Sequence, residues 1–579
     1  MMRHILCSSL CAAALTLGFP PLLAQEAKPT AQFVDGTARS GLAAFTLVSG
    51  SPEKRYIIEA MAGGLCLLDY DGDGWLDIYF VNGGQTENFR AGKPSALKNA
   101  LFHNRGDHTF RDVTAWAGVA GNGSWGYGCS VADFDNDGGP DLYVTNYGPN
   151  LLYRNLGDGR FEEVAAKAGV ADSRWSAGSA WADYDGDGWP DLFVANYLAL
   201  DPEKLPEPGS AGYGSMAGNT CTYRGVQVMC GPRGLPGAGD TLYHNNGNGT
   251  FQEVGRAAGV HDPQGSPGLG AVWCDLDDDR RPDLYVANDS TANFLYRNLG
   301  DGRFEETGFL SGVAVGANGQ FQAGMGVACD DYDGDGQLDL YVTNFSEDVN
   351  SLYRNEGGMN FLDVTFRAGL GTPTLPFVGW GTFFFDLDND GWLDLFVANG
   401  HVYPQMDKVP GNITYAERNQ LFHNTGGGRF VELPAAALGG MPAVNRGAVW
   451  GDLDNDGAVD IVVTRLDAPP LMLWNQTPSR GNFLMLRLVG KRLSRQALGA
   501  RVRVRTGTRW QVREVQSGAS YLSGNDPRLH FGLGRSAKAD EIEIRWPSGA
   551  KSLLRDVSGG QILTVEEPGA EPSPMPPQN

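Results

Sequence analysis

The chain has 579 residues, with 45 Lys plus Arg against 68 Asp plus Glu and a formal net charge of −23. That balance argues against nucleic acid as a main partner, because phosphate binding needs a basic surface. Its 81 glycines are about twice the ordinary share of roughly 7%, so turns must be many and regular elements short, and the length allows several domains or one large repeat array with an appendage.

Residues 1–24 stand apart. Arg3 and His4 precede an apolar run from Ile5 to Leu17, and Leu22-Leu23-Ala24 forms a small-residue exit before Glu26. The pattern predicts a signal peptide cleaved near Ala24. The run is too short to cross a membrane, Pro20-Pro21 would break a helix there, and no other stretch approaches the roughly 18 apolar residues of a span. Cys11 lacks the long apolar stretch of a lipoprotein leader. The expectation is a free, monomeric protein, secreted or periplasmic, without a membrane span, whose mature chain keeps Cys66, Cys129, Cys221, Cys230, Cys274 and Cys329.

From residue 31 to 476 the sequence repeats itself. DYDGDGWLD begins at Asp69, and variants of it begin at Asp133, Asp183, Asp275, Asp331, Asp386 and Asp452, each followed by a β-rich run such as IYFVN or LFVAN. A second signature, LYRNLGDGRF at Leu152 and five relatives, reads as two short strands around an Asn/Gly turn. One repeat is therefore four strands, and seven such repeats predict an all-β, seven-bladed propeller. The seventh copy has a third strand at Leu471 to Asn475 but no fourth, while Phe33 to Leu42 (FVDGTARSGL) matches the missing segment. The N-terminal strand is thus expected to close the last blade. A glycine stands five residues before the first aspartate of every copy, at Gly64, Gly128, Gly178, Gly270, Gly326, Gly381 and Gly447. Innermost strands converge on the ring axis, and crowding there explains the glycines.

Positions 1, 3, 5 and 9 of each loop are aspartate. They are Asp69, Asp71, Asp73 and Asp77; Asp133, Asp135, Asp137 and Asp141; Asp183, Asp185, Asp187 and Asp191; Asp275, Asp277, Asp279 and Asp283; Asp331, Asp333, Asp335 and Asp339; Asp386, Asp388, Asp390 and Asp394; and Asp452, Asp454, Asp456 and Asp460. Four anions in nine residues disfavour folding unless a cation enters. Hard oxygen donors at alternate positions, with glycine at position 6, predict up to seven structural Ca²⁺ ions, Mg²⁺ being second choice. The fourth loop departs from the pattern with Arg280 and Arg281 at positions 6 and 7.

By strand alternation, the aspartate loops and the GDG turns share one face of the ring, and the long insertions, 83–100, 198–240 and 402–419, share the other. Insertions confined to one face mark a binding face. Candidate contacts there are Tyr223, Arg224 and Arg233 in the insert, His401 and Tyr403 after blade six, and Trp125, Trp175 and Arg446 on blade-to-blade loops, alongside Tyr127, Phe321 and Trp380. Cys221 and Cys230 are expected to form a disulfide that staples the insert. The other four mature cysteines lie in innermost strands and are expected as buried thiols.

Beyond the propeller, alternation in RVRVR from Arg501, QVREV from Gln511 and EIEIR from Glu541 predicts half-buried strands and a small β-sandwich over 480–566. This domain carries 16 basic and 7 acidic residues, the reverse of the propeller, so docking onto the acidic ring or onto an anionic surface is expected. The tail over 567–579 is Pro-rich and expected to be disordered.

The DxDxDG loops between strand pairs resemble the FG-GAP or VCBS repeats of integrin α-subunit propellers. ALGARVRV from Ala497, YLSGNDPRLHFGLG from Tyr521 and IRWPSG from Ile544 resemble the ASPIC/UnbV domain. Together they are similar to the cartilage acidic protein-like family, and the insert CTYRGVQVMCGPRGLPG from Cys221 is similar to one in its bacterial branch. The resemblance implies a secreted, calcium-binding architecture. Two function classes follow: a non-enzymatic module that binds an extracellular protein or glycan through the insert face, which is favoured, or an extracellular enzyme using the axial funnel with His401 as general base or metal ligand. No GxSxG, HExxH or CxxCH supports the enzyme.

Overall fold

The computed structural model describes residues 31–210, 221–262 and 264–569; the leader expected over 1–24, part of the insert and most of the expected tail lie outside them. Residues 33–475 build seven four-stranded antiparallel sheets. Blade one is typical, with strands Leu65–Leu68, Asp77–Phe80, Ala100–Asn104 and Phe110–Asp112 in that order from the axis outward. Each innermost strand packs on the next around the ring, and that of blade seven (Asn445–Gly451) packs on that of blade one. The ring closes as the half-repeats require: Phe33–Asp35 pairs antiparallel with Leu471–Asn475, with Phe33 opposite Asn475 and Asp35 opposite Leu473.

The inner-strand glycines sit where neighbouring strands nearly touch. A Cβ on Gly326 would lie 2.1 Å from the Trp380 carbonyl oxygen, one on Gly270 2.3 Å from that of Met325, and one on Gly447 2.3 Å from that of Gly63. No side chain fits at such distances.

A second ring of contacts lies further out and uses the LYRN signature. The asparagine side chain at the end of the third strand donates to a carbonyl in the preceding blade's aspartate loop: Asn155 to Tyr70 at 2.7 Å, Asn245 to Phe134 at 2.9 Å, Asn298 to Tyr184 at 2.8 Å and Asn355 to Leu276 at 2.8 Å. Asn104 closes the circle on Leu453 at 2.8 Å, and Asn424 and Asn475 repeat the bond. Each loop is thereby tied to the next blade.

Two cysteine pairs differ from expectation. Cys66–Cys129 and Cys274–Cys329 are disulfides, not thiols. Each joins the innermost strands of adjacent blades, one and two or four and five, which the ring lays side by side although 63 and 55 residues separate the cysteines. The insert carries the third disulfide, Cys221–Cys230.

The C-terminal domain consists of two sheets. Asn482–Val489 lies between Leu529–Gly534 and Gln561–Glu566, the latter running parallel to it, and Arg501–Thr506 pairs with both Arg509–Glu514 and Lys538–Arg545. Alternate residues Val502, Val504, Ile542 and Ile544 enter its core. The domain sits on the aspartate-loop face of the ring. Arg501 donates to the carbonyls of Asp275 at 3.0 Å and Gly336 at 2.9 Å, Arg528 to that of Asp452 at 2.8 Å, and Arg480 pairs with Asp456 at 2.8 Å. The connection after Arg509–Glu514 then enters the axial channel. Cys129 N donates to Leu522 O, Leu67 N to Gly524 O and Val327 N to Ser520 O, while Asp526 N donates to Trp450 O. Tyr521 reaches deepest, donating its hydroxyl to Met61 O at 2.7 Å and packing edge-on against Trp380 at 4.7 Å. The channel is plugged from this side by the chain itself.

Candidate functional site

Within each aspartate loop the carboxylates divide the work. The last one is a backbone clip: Asp77 Oδ2 accepts from Tyr70 N at 3.2 Å and Oδ1 from Asn104 N at 2.7 Å, and Asp141 and Asp191 bond the equivalent amides. The first uses one oxygen to hold the turn, as Asp133 Oδ2 does with Gly138 N and Asp183 Oδ2 with Gly188 N, both at 3.0 Å. Gly138 and Gly188 sit at φ 100° and 97°, a conformation that favours glycine. The remaining oxygens, Oδ1 of Asp69, Asp133 and Asp183, are buried with no hydrogen-bond partner. Burial, followed by repulsion from neighbouring carboxylates, pushes Asp133 and Asp183 up to about 7. Carboxylate oxygens of Asp69, Asp71 and Asp73, of Asp133, Asp135 and Asp141, and of Asp183, Asp185 and Asp187 lie within 4.8 Å of one another and could hold a metal ion. Orphaned, converging hard oxygens are the donor set a divalent cation satisfies.

Three histidines on third strands join these loops, and the sequence reading missed them, as it did His108, whose Nε2 lies 3.5 Å from Asp454. His103 Nδ1 lies 3.3 Å from Asp77 and 3.4 Å from Asp71, His244 Nδ1 3.2 Å from both Asp185 and Asp191, and His423 Nδ1 3.0 Å from Asp394. The available signal was the residue before the asparagine in LFHN and LYHN, which is arginine in blades two, four and five. Blade four uses that arginine differently. Arg297 Nε donates to Asp277 at 2.9 Å, Arg281 pairs with Asp279, and Arg501 of the C-terminal domain lies 3.7 Å from Asp275 and 3.6 Å from Asp278. Arg280 takes the glycine position with φ 75° and still donates its amide to Asp275 at 3.0 Å. Here guanidinium groups supply the positive charge, so this loop does not fit a bound cation as those of blades one to three do.

On the insert face the candidate contacts separate into two groups. Trp125, Trp175, Tyr127, Trp380, His401 and Arg446 are buried and form no surface. Large side chains there fill the space between splayed blade edges. Arg446 lies 4.1 Å over Trp380 and donates to the carbonyls of Ala60 at 2.7 Å, Gly400 at 3.0 Å and Asn445 at 2.7 Å. His401 is 0% exposed, and burial first, then the nearby Arg446 charge, lowers it to about 3. Its Nδ1 accepts from Tyr403 N at 3.0 Å. A neutral, enclosed imidazole with that nitrogen engaged does not match the general base or metal ligand considered for the funnel. The second group is accessible: Tyr223 and Tyr403 are half-buried, Arg224 and Arg233 exposed, and Phe321 is 50% exposed. Tyr223 and Arg224 both engage Glu347, at 3.0 and 2.7 Å.

A family model described as FG-GAP-like repeat matches residues 69–144, 133–194, 275–342, 331–397 and 411–463, and one described as ASPIC and UnbV matches residues 490–572. Cartilage acidic protein 1 of Homo sapiens is 26% identical over 293 residues, 49% of this chain and 41% of the human protein. The Xenopus tropicalis protein of the same name is 27% identical over 293 residues, 49% of this chain and 42% of its own length. The match thus spans less than half the length of these relatives. Among solved structures, an Agrocybe aegerita lectin recognising non-reducing terminal N-acetylglucosamine aligns at 17% identity over 65% of this chain and 81% of its own, with a TM-score of 0.35. An exotype rhamnogalacturonan lyase aligns at 15% identity over 89% of this chain and 92% of its own, with a TM-score of 0.31. Among the described residues, no helix is long and apolar enough to cross a membrane.

Proposed function

Because this chain belongs to the FG-GAP-like repeat family, carries an ASPIC and UnbV domain and is homologous to cartilage acidic protein 1, we propose that it is a secreted or periplasmic, calcium-loaded interaction module that binds an extracellular protein or glycan through its insert face. The observation that carries this reading is the plug. Residues around Leu522 close the channel from the aspartate-loop side and the C-terminal domain covers that face, so the insert face is the axial surface left open to a partner. Three disulfides suit an oxidising compartment.

The test separates the two ends of the molecule. Glycan arrays and capture from extracellular fractions should yield a partner whose binding falls at least about tenfold for the double variant Phe321→Ser, Arg224→Ser, with an unchanged melting temperature. Binding that survives these changes but is lost with Lys551→Glu, Arg555→Glu on the C-terminal domain would refute the insert face as the docking surface.

Calcium enters here as structural ligand, not as a reagent. The orphaned oxygens of Asp69, Asp133, Asp183 and Asp388 favour occupancy of the loops in blades one, two, three and six, the same aspartate spacing extends the reading to blades five and seven, and the arginine-filled loop of blade four takes none. Metal analysis of the protein, dialysed against metal-free buffer after calcium loading, should return about six Ca²⁺ per chain. Seven would mean that Arg297 yields its place, and Arg297→Ala should raise the count by one if it does not.

A further inference from the structure

At the mouth of the channel on the insert face lies a cavity of about 330 Å³, large enough for a small organic ligand. Its wall is aromatic. Tyr223 from the insert, Phe345 after blade five's second strand and Tyr403 after blade six's second strand line it, with ring centroids 5.5 to 6.1 Å apart, and Trp380 and Tyr197 line it as well. Each ring braces the next, so the wall is preformed.

Two carboxylates enter the same space. Asp289 is 8% exposed, and it is fixed by the Tyr197 hydroxyl at 2.6 Å and the Ser290 hydroxyl at 3.0 Å. Asp348 is half-buried, and its carboxylate accepts no hydrogen bond from any described residue. Among the described residues Arg233 is the one cation lining the cavity; it is exposed, forms no ion pair with either acid, and acts on both from further off. With both acids ionised, the lining of two carboxylates and one guanidinium carries one net negative charge beside aromatic faces. A neutral sugar can hydrogen-bond Asp348 through a hydroxyl but leaves its charge uncompensated in a partly desolvated site, and an anion would be repelled. An organic cation is stabilised twice, by the ring quadrupoles and by the carboxylate.

We propose that this cavity binds an alkylated ammonium group, its methyls against Tyr223, Phe345 and Tyr403 and its charge facing Asp348. The group belongs either to a free solute such as choline or to a methylated lysine on a protein partner. The inference rests on the insert face being the binding face.

Isothermal titration of the full chain in calcium with choline, with its uncharged isostere 3,3-dimethylbutan-1-ol and with a short peptide carrying trimethyllysine tests it. Choline or the peptide should bind saturably with Kd below about 1 mM, and the isostere at least about thirtyfold more weakly. Tighter binding of the peptide assigns the source to a protein partner, and tighter binding of choline to a solute. Asp348→Asn should weaken binding at least about tenfold and Arg233→Gln should tighten it, with both variants melting as the parent does. Opposite signs for two substitutions exclude general loosening of the loop. Equal affinity for choline and its isostere, preferential binding of a methyl glycoside, or no saturation by either cation at about 10 mM overturns the proposal. Partner capture that persists without ammonium binding sinks the cavity assignment alone, whereas ammonium binding by a protein whose partner ignores Phe321→Ser, Arg224→Ser sinks the docking surface alone.

Discussion

Excess chelator at neutral pH should lower the melting temperature of this protein by on the order of 10 °C or more. The aspartate loops are not peripheral hairpin tips. Each carries at least one buried carboxylate held close to others, as in Asp133 and Asp141 with Asp135, and the carbonyl that follows the first aspartate accepts the asparagine clip from the next blade. Losing an ion therefore leaves repelling charges at a blade-to-blade joint. Linkage of even ~1 kcal/mol per loop over six loops sums to roughly 6 kcal/mol, comparable with the whole stability of an ordinary domain. Differential scanning calorimetry with and without EGTA, followed by calcium add-back, measures it. An unchanged transition would eliminate structural calcium.

Alanine at Gly326 should cost about 3 kcal/mol or prevent folding, because its Cβ would stand 2.1 Å from the Trp380 carbonyl oxygen and 3.1 Å from Thr343 Oγ. Neither neighbour can retreat. Trp380 is 1% exposed, its indole donates to Gly400 O at 2.7 Å, and Tyr521 of the plug packs on it. Gly440→Ala is the control, since its nearest neighbour would be the flexible end of Leu471 at 3.5 Å. Chemical denaturation of both variants in saturating calcium reads the difference; equal stabilities would refute crowding as the reason for the seven glycines.

Much of the propeller was legible because its constraints are local. DxDxDG, the strand after it and LYRN each fall within a few residues, and repetition turns weak signals into a count. What escaped was contact between repeats. Cys66 and Cys129 read as two unrelated apolar positions until the ring sets their strands side by side. His103 and His244 read as variants of an arginine position until the third strand brings them to the loop between the first two. Trp125, Trp175, His401 and Arg446 looked like binding residues because polarity and aromaticity on a loop suggest exposure, yet splayed blade edges leave gaps that only large side chains fill.

The sequence by itself determined the repeat, the number of blades, the closing half-repeats, the inner glycines and the reversal of charge between the two domains, since each depends on residue type at a fixed spacing. Tertiary structure alone decided where that basic domain sits and what it does. QSGASYLSGND from Gln516 has no periodicity to announce it, and only the meeting of two separately folded surfaces sends Leu522 and Tyr521 into the channel. The same holds for the aromatic cavity, whose wall is assembled from rings 58 to 180 residues apart in the chain (Phe345 to Tyr403 and Tyr223 to Tyr403). Long-range packing places such groups together, and no local pattern records it.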